Sequence, residues 1–215
     1  MPEKNKTKSS PSYGVRGVEK WNFDFQELPE AWLKHLGDIP SRFLMYVDGD
    51  GGHGKTEYIM QASKMFAMHM GKVKINNVEQ GKHVQIKQSL IRNNMSEIQP
   101  GKWLYKSIHS FEAYKKELSR HNSGRIQIID SISYFPLSTG QVQELIESYP
   151  KKSFIFVAYK AHFNQNKPIA HLCDIKVRVE RFIATPSGRF GGNEPYIIWD
   201  KKKPAQLPLE YQPAN

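Results

Sequence analysis

Residues 43 to 56 read FLMYVDGDGGHGKT, a β-rich run followed by a glycine-rich octet, Gly49 to Thr56, that fits GxxxxGK[ST] at every fixed position. Each of those positions answers a separate chemical demand. Glycines let successive backbone N–H groups turn inward around a phosphate, because such a nest needs φ values that other residues resist. Lys55 is placed to reach the β- and γ-phosphates of a nucleotide, and the Thr56 hydroxyl to supply one ligand to Mg²⁺. From Lys55 to Met70 the spacing puts Ile59, Ala62, Met65 and Phe66 on one helical face, so the loop joins a hydrophobic strand to an amphipathic helix. The positive end of that helix dipole adds to the phosphate site. The stretch predicts ATP and Mg²⁺ held by Gly49, Asp50, Gly51, Gly52, His53, Gly54, Lys55, Thr56 and Glu57. The His53 side chain is expected to be a tolerated loop group facing solvent.

Outward from this motif, short β-rich runs alternate with longer helical ones. Strands are expected at Phe43 to Asp48, Lys72 to Asn77, Trp103 to Lys106, Ile126 to Asp130, Ser153 to Tyr159, Ile175 to Ile183 and Tyr196 to Trp199. Helices are expected at Lys55 to Met70, Gly81 to Asn93, Ser110 to His121 and Gln141 to Ser148. The alternation predicts an α/β fold of three layers with a mostly parallel central sheet covered on both faces. The last two strands are joined by PSGRFGGNEP, which has no room for a helix, and are expected to form an antiparallel hairpin at the C-terminal edge.

With 215 residues, 39% hydrophobic and 24% charged, the chain has room for one generous core and is too apolar to be wholly disordered. Residues 1–20 and 201–215, rich in Lys, Pro and other residues with little to bury, read as flexible tails around a core at 21–200. The longest apolar run, Phe154 to Tyr159, covers six residues, against the roughly 20 of a membrane-spanning helix, so no membrane segment is expected. No apolar segment follows the N-terminal lysines, which predicts no secretory leader and a cytoplasmic location, bacterial or, for a phage-encoded chain, in the host. Cys173 is the only cysteine, which excludes an intrachain disulfide and a cysteine zinc cluster. The net charge of +10 arises from 31 basic and 21 acidic residues, and the two tails hold half of it. Such an excess fits a phosphate-rich partner such as nucleic acid, and serves solubility equally well.

A phosphate-binding loop needs an acidic residue at a neighbouring strand end to hold the Mg²⁺ shell, normally through water. Asp130 closes the run Ile126-Gln127-Ile128-Ile129; alone it reads as a turn aspartate, and beside the loop it reads as the magnesium residue. Hydrolysis also needs a group that orients or deprotonates the attacking water. Glu79 follows the Lys72 to Asn77 run and is the only carboxylate between Glu57 and Glu97. A helix-start or turn role beside Gln80-Gly81 is its alternative.

Taken together, these residues resemble the RecA-like ATPases, and within them the RadA (Sms) branch, over about Phe43 to Asp200. Beyond the loop the likeness lies in Glu79 and the VQIKQSLIRN that follows, and in Ile128-Ile129-Asp130-Ser131-Ile132, which is similar to the family's Walker B strand with its Asp-Ser pair. It continues in Ala170-His171-Leu172-Cys173-Asp174 and in Ser187-Gly188-Arg189-Phe190-Gly191, the latter similar to the Lys-Asn-Arg-Phe-Gly motif of that branch. The resemblance implies an added strand between the loop strand and the Asp130 strand, with Glu79 activating water and Lys55 and Asp130 sharing the catalysis. It also implies a homo-oligomer, a ring or filament with ATP between subunits and a basic residue, here Arg189, reaching across. Single-stranded DNA contacts are implied for Ser133 to Gly140 and Lys160 to Lys167, the second of which mixes cations, aromatics and amides as single strands require. Two stretches depart from the pattern: Ser187 and Gly188 replace Lys and Asn, and Ala158, Tyr159 and Lys160 stand where relatives place a Gln or His sensor. With neither the zinc-finger module nor the Lon-like domain of the branch, the chain resembles a minimal RecA core, as in phage or mobile-element recombination proteins. The implied function is an ATPase acting on single-stranded DNA in recombination or repair. A ring helicase or motor, a nucleotide-dependent binding module with little turnover, and a small-molecule kinase are the alternatives.

Overall fold

The computed structural model describes residues 12–199; the tail expected at 201–215 and most of that expected at 1–20 lie outside the described residues. Among the described residues are eight strands: β1 (Leu44–Gly49), β2 (Val73–Asn77), β3 (Trp103–Lys106), β4 (Ile126–Asp130), β5 (Ser153–Tyr159), β6 (Ile175–Glu180), β7 (Ile183–Gly188) and β8 (Tyr196–Ile197). They form one sheet in the order β3-β2-β4-β5-β1-β6-β7-β8, parallel from β3 to β6 and antiparallel across β7 and β8. As the resemblance implied, β5 is inserted between β1 and β4. The helices are α1 (Val15–Val18), α2 (Glu30–Leu36), α3 (Lys55–His69), α4 (Val84–Arg92), α5 (Phe111–Leu118), α6 (Thr139–Ser148) and α7 (Phe163–Leu172).

Strands β1, β2 and β4, and β5 up to Ala158, are buried along their length, the pattern of parallel strands covered on both faces. Alternate side chains serve opposite cores. Met45 and Val47 join Ile59 and Phe66 of α3, whereas Leu44 and Tyr46 join Leu145 of α6 and Ile169 of α7. Each fully buried side chain of this size contributes about 1.5–3 kcal/mol, so the two cores together hold the sheet in place.

Two expectations are corrected. The expected strand Ile175 to Ile183 is split by a turn at Arg181-Phe182 into the β6–β7 hairpin, while the last strand, β8, pairs antiparallel with β7 as expected. Both turn residues have positive φ, 49° and 63°, the backbone of a two-residue hairpin turn, but without the Asn or Gly that advertises one in sequence. Pro186 lies inside β7, opposite Val177 and beyond the short pairing with β8. Lys160 to Lys167 is not a loop: a 3₁₀ turn at Lys160–His162 leads into α7. Its polar side chains and Pro168 hide the helical spacing of Ile169 and Ala170, which are buried, with Phe163 packed beside them. Helix α2 had no sequence expectation, although Trp32, His35 and Leu36, the buried residues of this short helix, already stood at helical spacing.

One buried charge cluster ties α5 to the sheet edge. The Glu117 carboxylate accepts from Lys74 of β2 at 2.5 Å and is paired with Lys106 of β3 and Arg120, each at 2.8 Å. Burial alone would push the Glu117 carboxyl up, but the Lys106 and Lys74 ammonium groups more than offset this and hold it at about 2, below its ordinary 4.5. The stabilisation is therefore complete above pH 4.5 and is lost as pH falls through about 2. Because Lys74 is only 4% exposed, Glu117→Gln leaves a buried ammonium without its carboxylate and is expected to cost about 3–5 kcal/mol. Denaturant unfolding at pH 7 and pH 3 checks this: the gap between variant and wild type should narrow at the lower pH, and a pH-independent gap would remove the ion pairs as its cause.

Candidate active site

The glycine-rich loop, Gly49 to Thr56, begins where β1 meets β6. A Cβ on Gly49 would lie 2.3 Å from the Val179 carbonyl oxygen, so the two backbones approach too closely for any side chain. Gly52 and Gly54 have φ of +75° and +99°, which L-residues resist. Gly54 also caps α3, and a Cβ there would meet the Phe182 ring at 2.7 Å. The Arg181-Phe182 turn thus sits on the loop, and the Phe182 N–H donates to the His53 carbonyl at 3.0 Å. His53 does not face solvent as expected; it is half-buried, with Nδ1 enclosed and unpartnered.

Lys55 donates to the carbonyls of Gly49 at 2.8 Å and Asp50 at 2.9 Å, and its ammonium lies 4.4 Å from the centre of the Tyr159 ring. Burial lowers its pKa, a pull opposed by the charges of Glu79 and Asp130. Asp130 is buried at the end of β4. Burial, with repulsion from Glu79, pushes its carboxyl up to about 7, and Lys55 offsets only part of this.

Asn77, the last residue of β2, organises the acidic groups. Its amide donates to Asp130 Oδ2 at 3.1 Å, and its side-chain oxygen accepts from the Gln80 N–H at 2.8 Å, closing the turn that carries Glu79. The Glu79 carboxylate accepts a hydrogen bond from the Tyr159 hydroxyl. Burial and then Glu79 raise the pKa of that phenol, which keeps it a donor.

Gly51, Gly52, Gly54, Lys55, Thr56, Glu57, Glu79 and Asp130 therefore line one cleft of about 220 Å³. Gly49, Asp50 and His53 belong to the loop behind it. Glu57 also accepts from Arg92 and Asn93, each at 2.7 Å, joining α3 to α4. Arg189 is not brought here. It follows β7 at the end away from the turn, is 71% exposed, and lies 3.8 Å from Asp174. The whole of β7, five residue steps or about 17 Å, stands between it and the turn that touches the loop. Sequence reasoning assigned no role to Asn77, which holds the acidic groups, or to Phe182, which lines the cleft; Tyr159, also in the lining, was marked only as a departure at the position where relatives place a Gln or His sensor.

No family model and no curated protein matches the sequence. Solved structures do match in fold. One is the flagellar accessory protein FlaH from Methanocaldococcus jannaschii, 17% identical, with a TM-score of 0.58 over 82% of this chain and 97% of FlaH. The fold is RecA-like. A second RecA-like neighbour is the KaiC-like protein PH0186 from Pyrococcus horikoshii OT3, 13% identical, with a TM-score of 0.56 over 74% of this chain and 86% of that protein. In this RecA-like sheet the cleft lies at the carboxyl ends of the parallel strands, where open α/β sheets hold their ligands.

The close approach at Gly49 has a measurable consequence. Gly49→Ala is expected to cost about 2 kcal/mol and lower the thermal midpoint by about 5 °C, whereas Gly51→Ala, whose Cβ meets nothing within 4 Å, should leave it unchanged. Equal midpoints in a thermal scan would contradict the steric role of Gly49.

Proposed function

We propose that the protein is a Mg²⁺-dependent ATPase that acts on single-stranded DNA in recombination or repair, as a ring or filament of identical subunits. One observation carries the reading: Lys55, Thr56, Asp130 and Glu79 line a single cleft at the end of a parallel RecA-like sheet. The residues fit the group, since the loop glycines are turned for a phosphate nest and the buried Asp130 carboxyl lines the same cleft as the Thr56 hydroxyl. In this reading Gly49 to Thr56 cradle the phosphates, and Lys55 exchanges the carbonyls of Gly49 and Asp50 for β- and γ-phosphate oxygens. Thr56, and Asp130 through water, hold Mg²⁺, which supplies charge neutralisation at the phosphates when bound. Glu79 takes the proton from a water attacking the γ-phosphorus, the bond to the β–γ bridging oxygen breaks, and ADP leaves with the electron pair. Arg189 serves the cleft of a neighbouring subunit, consistent with its distance from its own. The DNA partner is supported by the resemblance and by the net charge of +10.

Steady-state ATP hydrolysis with and without single-stranded DNA tests this. Lys55→Ala, Glu79→Gln and Asp130→Asn are each expected to lose about a hundredfold or more, and DNA stimulation of the wild type should fade with salt. Full turnover in Glu79→Gln would remove it as the base, and hydrolysis indifferent to DNA would remove the DNA-coupled reading.

The hydrogen bond from Tyr159 to Glu79 favours a second reading, a nucleotide-dependent switch with little turnover, because it engages the base before any substrate arrives. Tyr159→Phe releases the carboxylate. For an ATPase held in check, basal turnover should rise at least about threefold, since a freed base recovers part of its catalytic effect; negligible turnover in both proteins would favour the switch.

A further inference from the structure

A second concave surface lies far from the nucleotide cleft. It is a groove of about 820 Å³ at the opposite end of the sheet, lined by Arg42, Lys72, Arg125, Lys151 and Lys152, with His121 and Tyr149 beside them and no Asp or Glu. The topology builds this row. Lys72 immediately precedes β2, Arg125 precedes β4 and Lys152 precedes β5, while Arg42 stands just ahead of β1, and these four strands are neighbours in the sheet. Backbone hydrogen bonds fix the row, from Arg125 N–H to the Lys72 carbonyl and from Ser153 N–H to the Arg125 carbonyl, both 2.9 Å. Three strand spacings give it a length of about 14 Å.

Among the described residues most of these cations have no carboxylate partner. None of Arg42, Lys72, Arg125 and Lys151 forms an ion pair among the described residues. Lys152 is held at 2.6 Å by Ser123 Oγ and by the Gly124 carbonyl, and burial, then the charge of Lys74, lowers its pKa. Like charges gathered in one concavity repel one another and focus a positive potential on whatever enters.

The face where the resemblance would seat DNA is poorer in charge. Ser133 to Gly140 contains no cation. Lys160 is paired with Glu180 at 2.5 Å, and the Ser133 hydroxyl accepts from the Tyr159 N–H at 3.1 Å. Tyr149 adds an aromatic wall to the groove, its hydroxyl fixed on the Lys115 carbonyl at 2.9 Å. Unpaired cations along an open groove with an aromatic side chain are the features that hold a single strand without reading its sequence.

We propose that this groove binds the sugar-phosphate backbone of a single-stranded nucleic acid, at the end of the sheet opposite the nucleotide cleft. The proposal rests on the reading of single-stranded nucleic acid as partner and relocates its seat. Arg42 and Lys151, both exposed, carry the test because neither supports the core; Lys152 is left in place for its hydrogen bonds.

Fluorescence anisotropy of a labelled oligothymidylate, across a salt series with Mg²⁺ and a slowly hydrolysed ATP analogue, compares the wild type with Arg42→Glu/Lys151→Glu and with Lys160→Gln/Lys167→Gln. The groove variant is expected to bind at least about tenfold more weakly, its salt slope smaller by about 0.7 for each phosphate it no longer neutralises. The Lys160 and Lys167 variant should bind as wild type does, and unchanged thermal midpoints confirm that all three are folded. Loss of binding in the Lys160 and Lys167 variant alone would overturn the groove and leave the DNA reading standing. No binding by wild type would end both. Displacement by polyglutamate as readily as by unlabelled oligothymidylate would give the groove to an acidic polypeptide, and displacement by inorganic phosphate at equal phosphate concentration would reduce it to a simple anion site; either overturns the proposal.

Discussion

The sheet is covered on both faces, and that burial governs where polar groups can sit. Along β1, β2, β4 and β5 the side chains are enclosed, and an ionised group placed mid-strand needs a dedicated partner, as Lys74 has in Glu117. The ionisable side chains of the cleft and of the groove therefore stand at strand ends. The carboxyl ends carry Glu79 and Asp130 around the phosphate loop, whereas the amino ends carry Arg42, Lys72, Arg125 and Lys152. The chemistry of the cleft and the field of the groove are two results of one buried layer.

Within the cleft, fixed geometry comes from backbone contacts more than from charge. Gly49 permits β6 to pair closely with β1, and that pairing aims the β6–β7 turn at the loop. The turn places two non-glycine residues at positive φ, at about 1–2 kcal/mol each, and the position is stabilised by the hydrogen bonds from Phe182 N–H to His53 and from Ile198 N–H to Phe182. Asn77 performs the matching task on the acidic side, joining Asp130 to the turn that carries Glu79. The consequence is a cleft in which a carboxyl near pH 7 in its titration, a second carboxylate and an ammonium share one small volume.

Much of this was legible beforehand, and unevenly. The runs that became β1 to β5 are short and β-rich, and their alternation with helical stretches around a GxxxxGK[ST] loop implied the parallel sheet. The Arg181-Phe182 turn was not legible, because its backbone is dictated by the strands and the loop it joins rather than by turn-forming residues. Helix α7 was obscured by Asn164, Gln165, Asn166 and Pro168, since propensity disfavours what packing of Ile169 and Ala170 against the sheet enforces.

By itself, then, the sequence determined the layer architecture and the glycine-rich loop between strand and helix, because hydrophobic periodicity and glycine spacing are local properties of the chain. Only the tertiary structure decided which side chains converge: that Tyr159 meets Glu79, that Phe182 covers Gly54, that Arg189 stands away from its own cleft, and that cations far apart in sequence form one row. Strand order is set by non-local pairing, and residues brought together across it carry no mark of that meeting in their own neighbourhoods.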